Sequence, residues 1–161
     1  MDKQFDTHWS LYFHHPTDNE WGIDSYQKIC EINTPQDLWN CFDYLGNDII
    51  ENSMLFLMKE DLPPLWEDER NIKGGCWSIK IYKKNIVREW CDLCIYILIN
   101  DLTVDKSDSN LITGLTISPK RSFSIIKIWN SDATKQNTNL IRDDIAYVNL
   151  DDSIYKAHDQ R

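Results

Sequence analysis

The feature that most narrows the fold is a repeated alternation of apolar and polar residues over short stretches. Period-two alternation sends successive side chains to opposite faces of a strand, so such a stretch buries one face and wets the other. Residues 76–82 (CWSIKIY) are the clearest case, with Trp77, Ile79 and Ile81 on one face and Ser78, Lys80 and Tyr82 on the other. Residues 8–14 and 26–32 read the same way, and residues 54–59 form a short apolar strand. Residues 111–118 and 123–129 make two strands joined by Pro119-Lys120-Arg121-Ser122, a hairpin turn with two adjacent cations. A last strand is expected at residues 153–158.

Two stretches switch to a helical period. Thr34 is placed as an N-cap, Pro35 takes the first helical position, and Asp37, three after the cap, can reach back to main-chain N–H groups. That helix is expected to run to about Leu45. Residues 86–99 also have helical length; Arg88 and Asp92, four apart, share one strip of an otherwise apolar helix, and Ile95 and Ile99 continue it. A short helix is expected around residues 139–143. Strands outnumber helices and follow one another as hairpins do, which implies the α+β class: a mostly antiparallel sheet with helices gathered on one face.

Composition sets the outer bounds. The 161 residues with 42% apolar content suit one domain, 1–161, with residues 1–7 expected as a short flexible segment. Seventeen Lys and Arg against 26 Asp and Glu give a charge of -9, which argues against broad binding to nucleic-acid backbone or to an anionic membrane. No apolar run has the length of a membrane span, and MDKQFDTHWS lacks a signal-peptide pattern, so the expected location is the cytoplasm or the nucleus. The five cysteines are odd in number and scattered, and are expected as reduced, partly buried thiols. Seven tryptophans are more than one core of this size needs.

The surplus points to a site. Trp21 falls in a loop, and Trp66 and Glu67 sit within EDLPPLWEDERNIKGG (residues 60–75), a breaker-rich loop of the kind that carries function. With Lys120, Arg121 and Trp129 they form the strongest constellation in the chain. Two indoles can sandwich a flat ring, and a cationic ring adds about 0.5–2 kcal/mol per face. A carboxylate beside them accepts two adjacent N–H donors, an edge that guanine presents and adenine does not. The basic pair would answer phosphates. Against this stands the plainer reading in which loop tryptophans fold back on the core and a hairpin-tip Lys-Arg is solvated. Cys91-x-x-Cys94 lacks a second pair and reads as two core thiols rather than a zinc site, and Glu67-Asp68-Glu69 reads as a solvated loop rather than a hydrolase metal centre.

These residues resemble the eukaryotic initiation factor 4E family of messenger-RNA cap-binding proteins. Pro64-Leu65-Trp66-Glu67-Asp68, Asn71 and Gly74-Gly75-Cys76-Trp77 match the family's P-x-W-E-D and N-x-x-G-G-x-W, and Trp9, Trp21, the stretch from Thr34 to Trp39, Arg88-Glu89-Trp90, Gly114, Ile128-Trp129, Tyr155 and His158 support the match. The resemblance implies a curved sheet of about eight strands with about three helices on the convex face and a cap slot on the concave side. It implies that Trp21 and Trp66 stack on 7-methylguanine, that Glu67 bonds its N1 and N2 edge, and that Trp129 touches the methyl group. Lys120 would hold phosphate by direct correspondence, and Arg121 by proximity. No cofactor and no catalysis are implied; the ligand is the 7-methylguanosine cap of messenger RNA, and the expected state is a monomer.

A second surface follows from the resemblance. Trp39, with Pro35, Asp92 and Ile95, would receive a helix of a scaffold like initiation factor 4G or of a 4E-binding protein. The chain departs from the family where Lys3-Gln4-Phe5 replaces His-Pro-x, Pro35 replaces Val or Ile, Asp92 replaces Glu, and Cys76 replaces a frequent Arg. It also ends at Arg161 without the family's C-terminal loop, which implies a weaker hold on the second nucleotide. The alternative reading is a protein-interaction module, or translation repressor, that uses the convex face around Trp39 with weak or lost cap binding.

Overall fold

The computed structural model describes residues 3–159. It contains seven strands: β1 (Trp9–His14), β2 (Gln27–Ile32), β3 (Met54–Lys59), β4 (Gly75–Tyr82), β5 (Ile112–Pro119), β6 (Phe123–Asn130) and β7 (Ile154–Ala157). They form one curved, open sheet in the order β2-β1-β3-β5-β6-β4-β7, every neighbour antiparallel. The helices are α1 (Pro35–Asn52) and α2 (Ile86–Leu98). The strand count is one below the expected eight or so. The helix expected around residues 139–143 is a single 3-10 turn, Thr138–Leu140.

Alternation divides the sheet into two faces. Trp9, Leu11, Leu55, Leu57, Leu115 and Ile117, with Trp77, Ile79 and Ile81, are buried against Leu38 and Leu45 of α1 and Trp90, Leu93 and Ile97 of α2. This is the main core. On the opposite face Phe56, Met58, Cys76 and Trp129 form a second buried cluster, edged by Tyr12, Tyr26 and Met54. Among the described residues no helix packs on it, so it becomes the floor of an open groove. Among the described residues no helix is long and apolar enough to cross a membrane.

Local chemistry fixes the helix start as read. Thr34 Oγ1 accepts from the Asp37 N–H (3.1 Å), and the Asp37 carboxylate accepts from the main chain of Thr34 (3.0 Å) and Asn33 (2.9 Å). The regular helix breaks just past Leu45, where its end is expected: Gly46 adopts φ +69°, and a second helical segment follows beyond it to Asn52. Glycine alone enters this left-handed region without a Cβ penalty, so the chain bends there.

The cysteines need one correction. Cys30 on β2 and Cys41 on α1, expected as reduced thiols, form a disulfide, because α1 folds back along the β2 edge. Cys76, Cys91 and Cys94 are free. Burial, with the Asp92 charge, pushes the Cys91 thiol up to about 11, and burial also raises that of Cys94. Of the segment expected to be flexible, Met1 and Asp2 lie outside the described residues, as does Arg161 at the other end. Phe5 donates its N–H to the Asn33 carbonyl (2.7 Å) and packs on the core.

Candidate functional site

The uncovered face is assembled in rows across the strands. Met58, Gly114, Trp129, Cys76 and Lys156 are register partners across β3, β5, β6, β4 and β7. Phe56, Thr116, Lys127 and Ser78 form the next row. Gly114 belongs in the first row for lack of space: a Cβ there would lie 2.9 Å from Met58 Sδ and 3.3 Å from Trp129 Cγ. Trp129, packed over Gly114, is buried.

Two loops rise over this floor. The first, between β1 and β2, carries Trp21. Its anchor is His14, the fully buried last residue of β1, whose ring stacks on the Trp21 indole with centroids 4.1 Å apart and planes parallel. The His14 ring nitrogens lie 3.0 Å from the His15 carbonyl oxygen and 2.7 Å from that of Glu20, so the ring sits between the start of the loop and the residue just before Trp21. In the sequence His14 is only the last residue of the strand expected at residues 8–14. Only its period-two relation to Tyr12 placed it on the site face.

The second loop, between β3 and β4, carries Trp66 and Glu67. Buried Asn71 donates through Nδ2 to the carbonyls of Pro63 (2.9 Å) and Leu65 (2.8 Å), stapling the loop from within. Arg70 donates to both oxygens of Asp68 (2.8 and 3.1 Å), which holds that carboxyl below the usual carboxylate range. Glu67, by contrast, makes no hydrogen bond or ion pair among the described residues. The loop closes on Gly74 and Gly75, where a Cβ would meet the Asn130 carbonyl oxygen at 1.9 Å and Tyr155 Oη at 2.4 Å respectively. Tyr155 Oη in turn donates to Asn130 Oδ1 (2.6 Å), which also accepts from the Gly75 N–H (3.2 Å).

The result is a cavity of about 260 Å³ walled by Trp21, Trp66, Glu67, Tyr26, Lys127 and Trp129. Trp21 is 48% exposed and Trp66 53%, whereas Trp9, Trp77 and Trp90 are buried. Burial, and then the nearby Glu67 charge, push the Tyr26 hydroxyl up to about 12, so it stays a neutral donor beside that carboxylate. A second cavity of about 230 Å³ adjoins the first and shares Trp66, Lys127 and Trp129 with it. Lys156 and His158 complete its wall. The His158 ring meets Trp129 edge-on at 4.8 Å, and burial holds its pKa low although the Asn71 carbonyl, 2.9 Å away, opposes this.

The structure brings Trp21, Trp66, Glu67 and Trp129 together. Lys120 and Arg121 are exposed on the β5–β6 turn and line neither cavity; Ser118, two residues before Lys120, does line the first. Tyr26, Lys127 and Lys156 were not singled out from sequence. On the helix side of the molecule Trp39 is 55% exposed and meets Phe42 edge-on at 5.9 Å. Pro35 is exposed, Ile99 is 49% exposed, and Ile95 and Asp92 are half-buried, with Asp92 paired to Arg88 at 3.6 Å. Lys3 and Gln4 are exposed and Phe5 is half-buried.

Comparison with known proteins identifies the family and the fold. Residues 4–161 match the family described as Eukaryotic initiation factor 4E. A rice (Oryza sativa subsp. japonica) protein, Eukaryotic translation initiation factor NCBP, is 34% identical over 143 residues, covering 84% of this chain and 61% of the relative. The chain thus spans about three fifths of the length of such curated relatives. Among solved structures, C. elegans eIF4E-3 in complex with the 4E-binding protein Mextli and cap analog superposes with a TM-score of 0.79 at 20% identity, over 98% of this chain and 94% of that one. Ascaris suum eIF4E-3 with m2,2,7G cap gives 0.74 at 23% identity, over 87% and 79%. At these identities the structural matches establish the fold, and the family match extends over almost the whole sequence. The chain belongs to the eukaryotic initiation factor 4E family.

Proposed function

We propose that this protein binds the 7-methylguanosine cap of messenger RNA and acts in translation initiation or its control. The observation that carries the reading is one cavity walled by two exposed loop tryptophans, an unpaired carboxylate and the buried Trp129. Trp21 and Trp66 stack on the two faces of the methylated, cationic guanine. Each face contributes about 0.5–2 kcal/mol of cation–π attraction beyond stacking, and an unmethylated ring forfeits that share. Glu67 accepts from guanine N1 and N2, the Trp66 main-chain N–H donates to O6, and Trp129 contacts the methyl group. Lys120 and Arg121, beyond Ser118 on the hairpin turn, meet the outer phosphates. The assignment is to binding, with no chemistry performed on the cap.

The reading is supported by the family membership and by relatives that were solved with cap ligands. Its test is retention on 7-methyl-GTP resin. The protein is expected to be held, to elute with free 7-methyl-GTP but not with GTP, and to lose retention as Glu67→Ala. Passage of the wild-type protein through the resin would refute it.

Exposure of Trp39 and Ile99 supports a second surface, on which a partner helix of a 4E-binding protein or a 4G-like scaffold docks with Pro35, Asp92 and Ile95 at its edges. Trp39→Ala is expected to abolish binding of such a helical peptide and to leave cap-resin retention intact.

A further inference from the structure

The second cavity is not needed to hold a base, yet it is continuous with the base site through Trp66, Lys127 and Trp129. We infer that Lys127 on β6 and Lys156 on β7 seat the phosphates nearest the cap guanine, ahead of the outer phosphates assigned to Lys120 and Arg121. This deepens the cap reading and rests on it for the identity of the base.

The register places the two cations. Lys156 pairs with Cys76, which pairs with Trp129, while Lys127 pairs with Ser78 one row along. With strands about 4.8 Å apart, both lysines flank β4 on the uncovered face, within side-chain reach of the space above Cys76. Both charges act on the Cys76 thiol, a second sign that they face the same point. Cys76 is small and neutral, so the space between the lysines stays open.

The charge distribution favours an anion there. In a chain of net charge -9, the cations Lys28, Arg70, Arg88 and Arg142 are paired with carboxylates. Neither Lys127 nor Lys156 forms an ion pair among the described residues. Two unpaired ammonium groups beside a low-dielectric wall of Trp66, Trp129 and His158 raise the local potential for a phosphate chain. His158, held neutral, adds a wall and no charge. The carboxylate of the base site, Glu67, lines the first cavity and not the second, so each cavity matches one part of a methylated nucleotide.

The test compares 7-methyl-GTP with the nucleoside 7-methylguanosine by tryptophan-fluorescence titration at several salt concentrations. The proteins are wild type, Lys127→Ala, Lys156→Ala, the double variant, and Lys120→Ala with Arg121→Ala as the outer control. Each single lysine change is expected to weaken 7-methyl-GTP binding about tenfold, the scale of one charge-assisted contact. Nucleoside affinity should stay within about twofold in Lys156→Ala, whose side chain lies outside the base cavity, and the salt dependence of 7-methyl-GTP binding should weaken in every lysine variant. The control pair is expected to lose less than the inner pair. Wild-type triphosphate affinity and salt slope in the double variant would overturn the assignment and leave the lysines as solvated strand residues. If wild type failed to distinguish 7-methyl-GTP from GTP, the base reading would fall. The ratio of triphosphate to nucleoside affinity would still decide the lysines.

Discussion

Glu67 and Asp68 are adjacent carboxylates with opposite fates. Asp68 is consumed by Arg70 and holds the loop, whereas Glu67 keeps its oxygens for the cavity. Replacing Glu67 by Gln keeps the shape but sets a donor against guanine donors, so 7-methyl-GTP affinity should fall by about 1–3 kcal/mol, with unchanged thermal stability. An equal loss on Asp68→Asn without loss of loop order would contradict this division of roles. Glu89 makes a separate residue-scale case. It is fully buried on α2 with both carboxylate oxygens unpartnered among the described residues. Burial, and then Asp92, push its carboxyl from 4.5 up to about 7, against the pull of Arg88. The folded protein therefore holds a proton that the unfolded chain releases: the contribution of Glu89 to stability is greatest below about 4.5, falls as pH rises toward about 7, then levels. Glu89→Gln should remove that slope in denaturant titrations from pH 4 to pH 8 and stabilise the protein at the alkaline end. A slope unchanged by the substitution would assign it to other groups.

At this scale the aromatic and acidic members of the site were legible, because tryptophans in a breaker-rich loop have no core to serve. His14, Lys127 and Lys156 were not. Alternation tells which face a strand residue takes, but a neighbour two strands away is fixed by register, and register is not written within one strand.

Among elements, the strands and both helices were readable from period and capping chemistry. Thr34 with Asp37 satisfies N–H groups at the start of α1, and Thr34→Ala should lower folding stability by about 1 kcal/mol while cap binding persists. The break at Gly46 falls where the first helix is expected to end; the helical segment that follows it to Asn52 is not legible, because nothing in the pattern tells a bend from an end. Strand order was missed for another reason: β4 crosses to lie outside β6, a long-range pairing that hairpin succession does not anticipate. The Gly74-Gly75 pair marks where that crossing closes. A Gly74→Ala change must displace the Asn130 main chain, so it should cost about 1–3 kcal/mol and weaken cap binding by shifting the Trp66 loop. Wild-type melting and wild-type binding in that variant would show that the close approach relaxes freely.

For the whole molecule, acidity and nucleotide binding are compatible because the cations are local. An excess of acid excludes a broad backbone footprint, yet one methylated nucleotide with a short phosphate tail needs only a few cations on one face. The tryptophans divide in the same way: Trp9, Trp77 and Trp90 are core, Trp129 floors the groove, and Trp21, Trp66 and Trp39 stand exposed. The disulfide between Cys30 and Cys41 lies at the edge of the sheet away from β6, so the groove's floor does not depend on it. The central claim is selective recognition of a methylated guanine, and the ratio of 7-methyl-GTP to GTP affinity by tryptophan-fluorescence titration tests it most directly. Two cation–π faces of about 0.5–2 kcal/mol each predict a preference of about fivefold or more for the methylated nucleotide; equal affinities for the two would contradict the account.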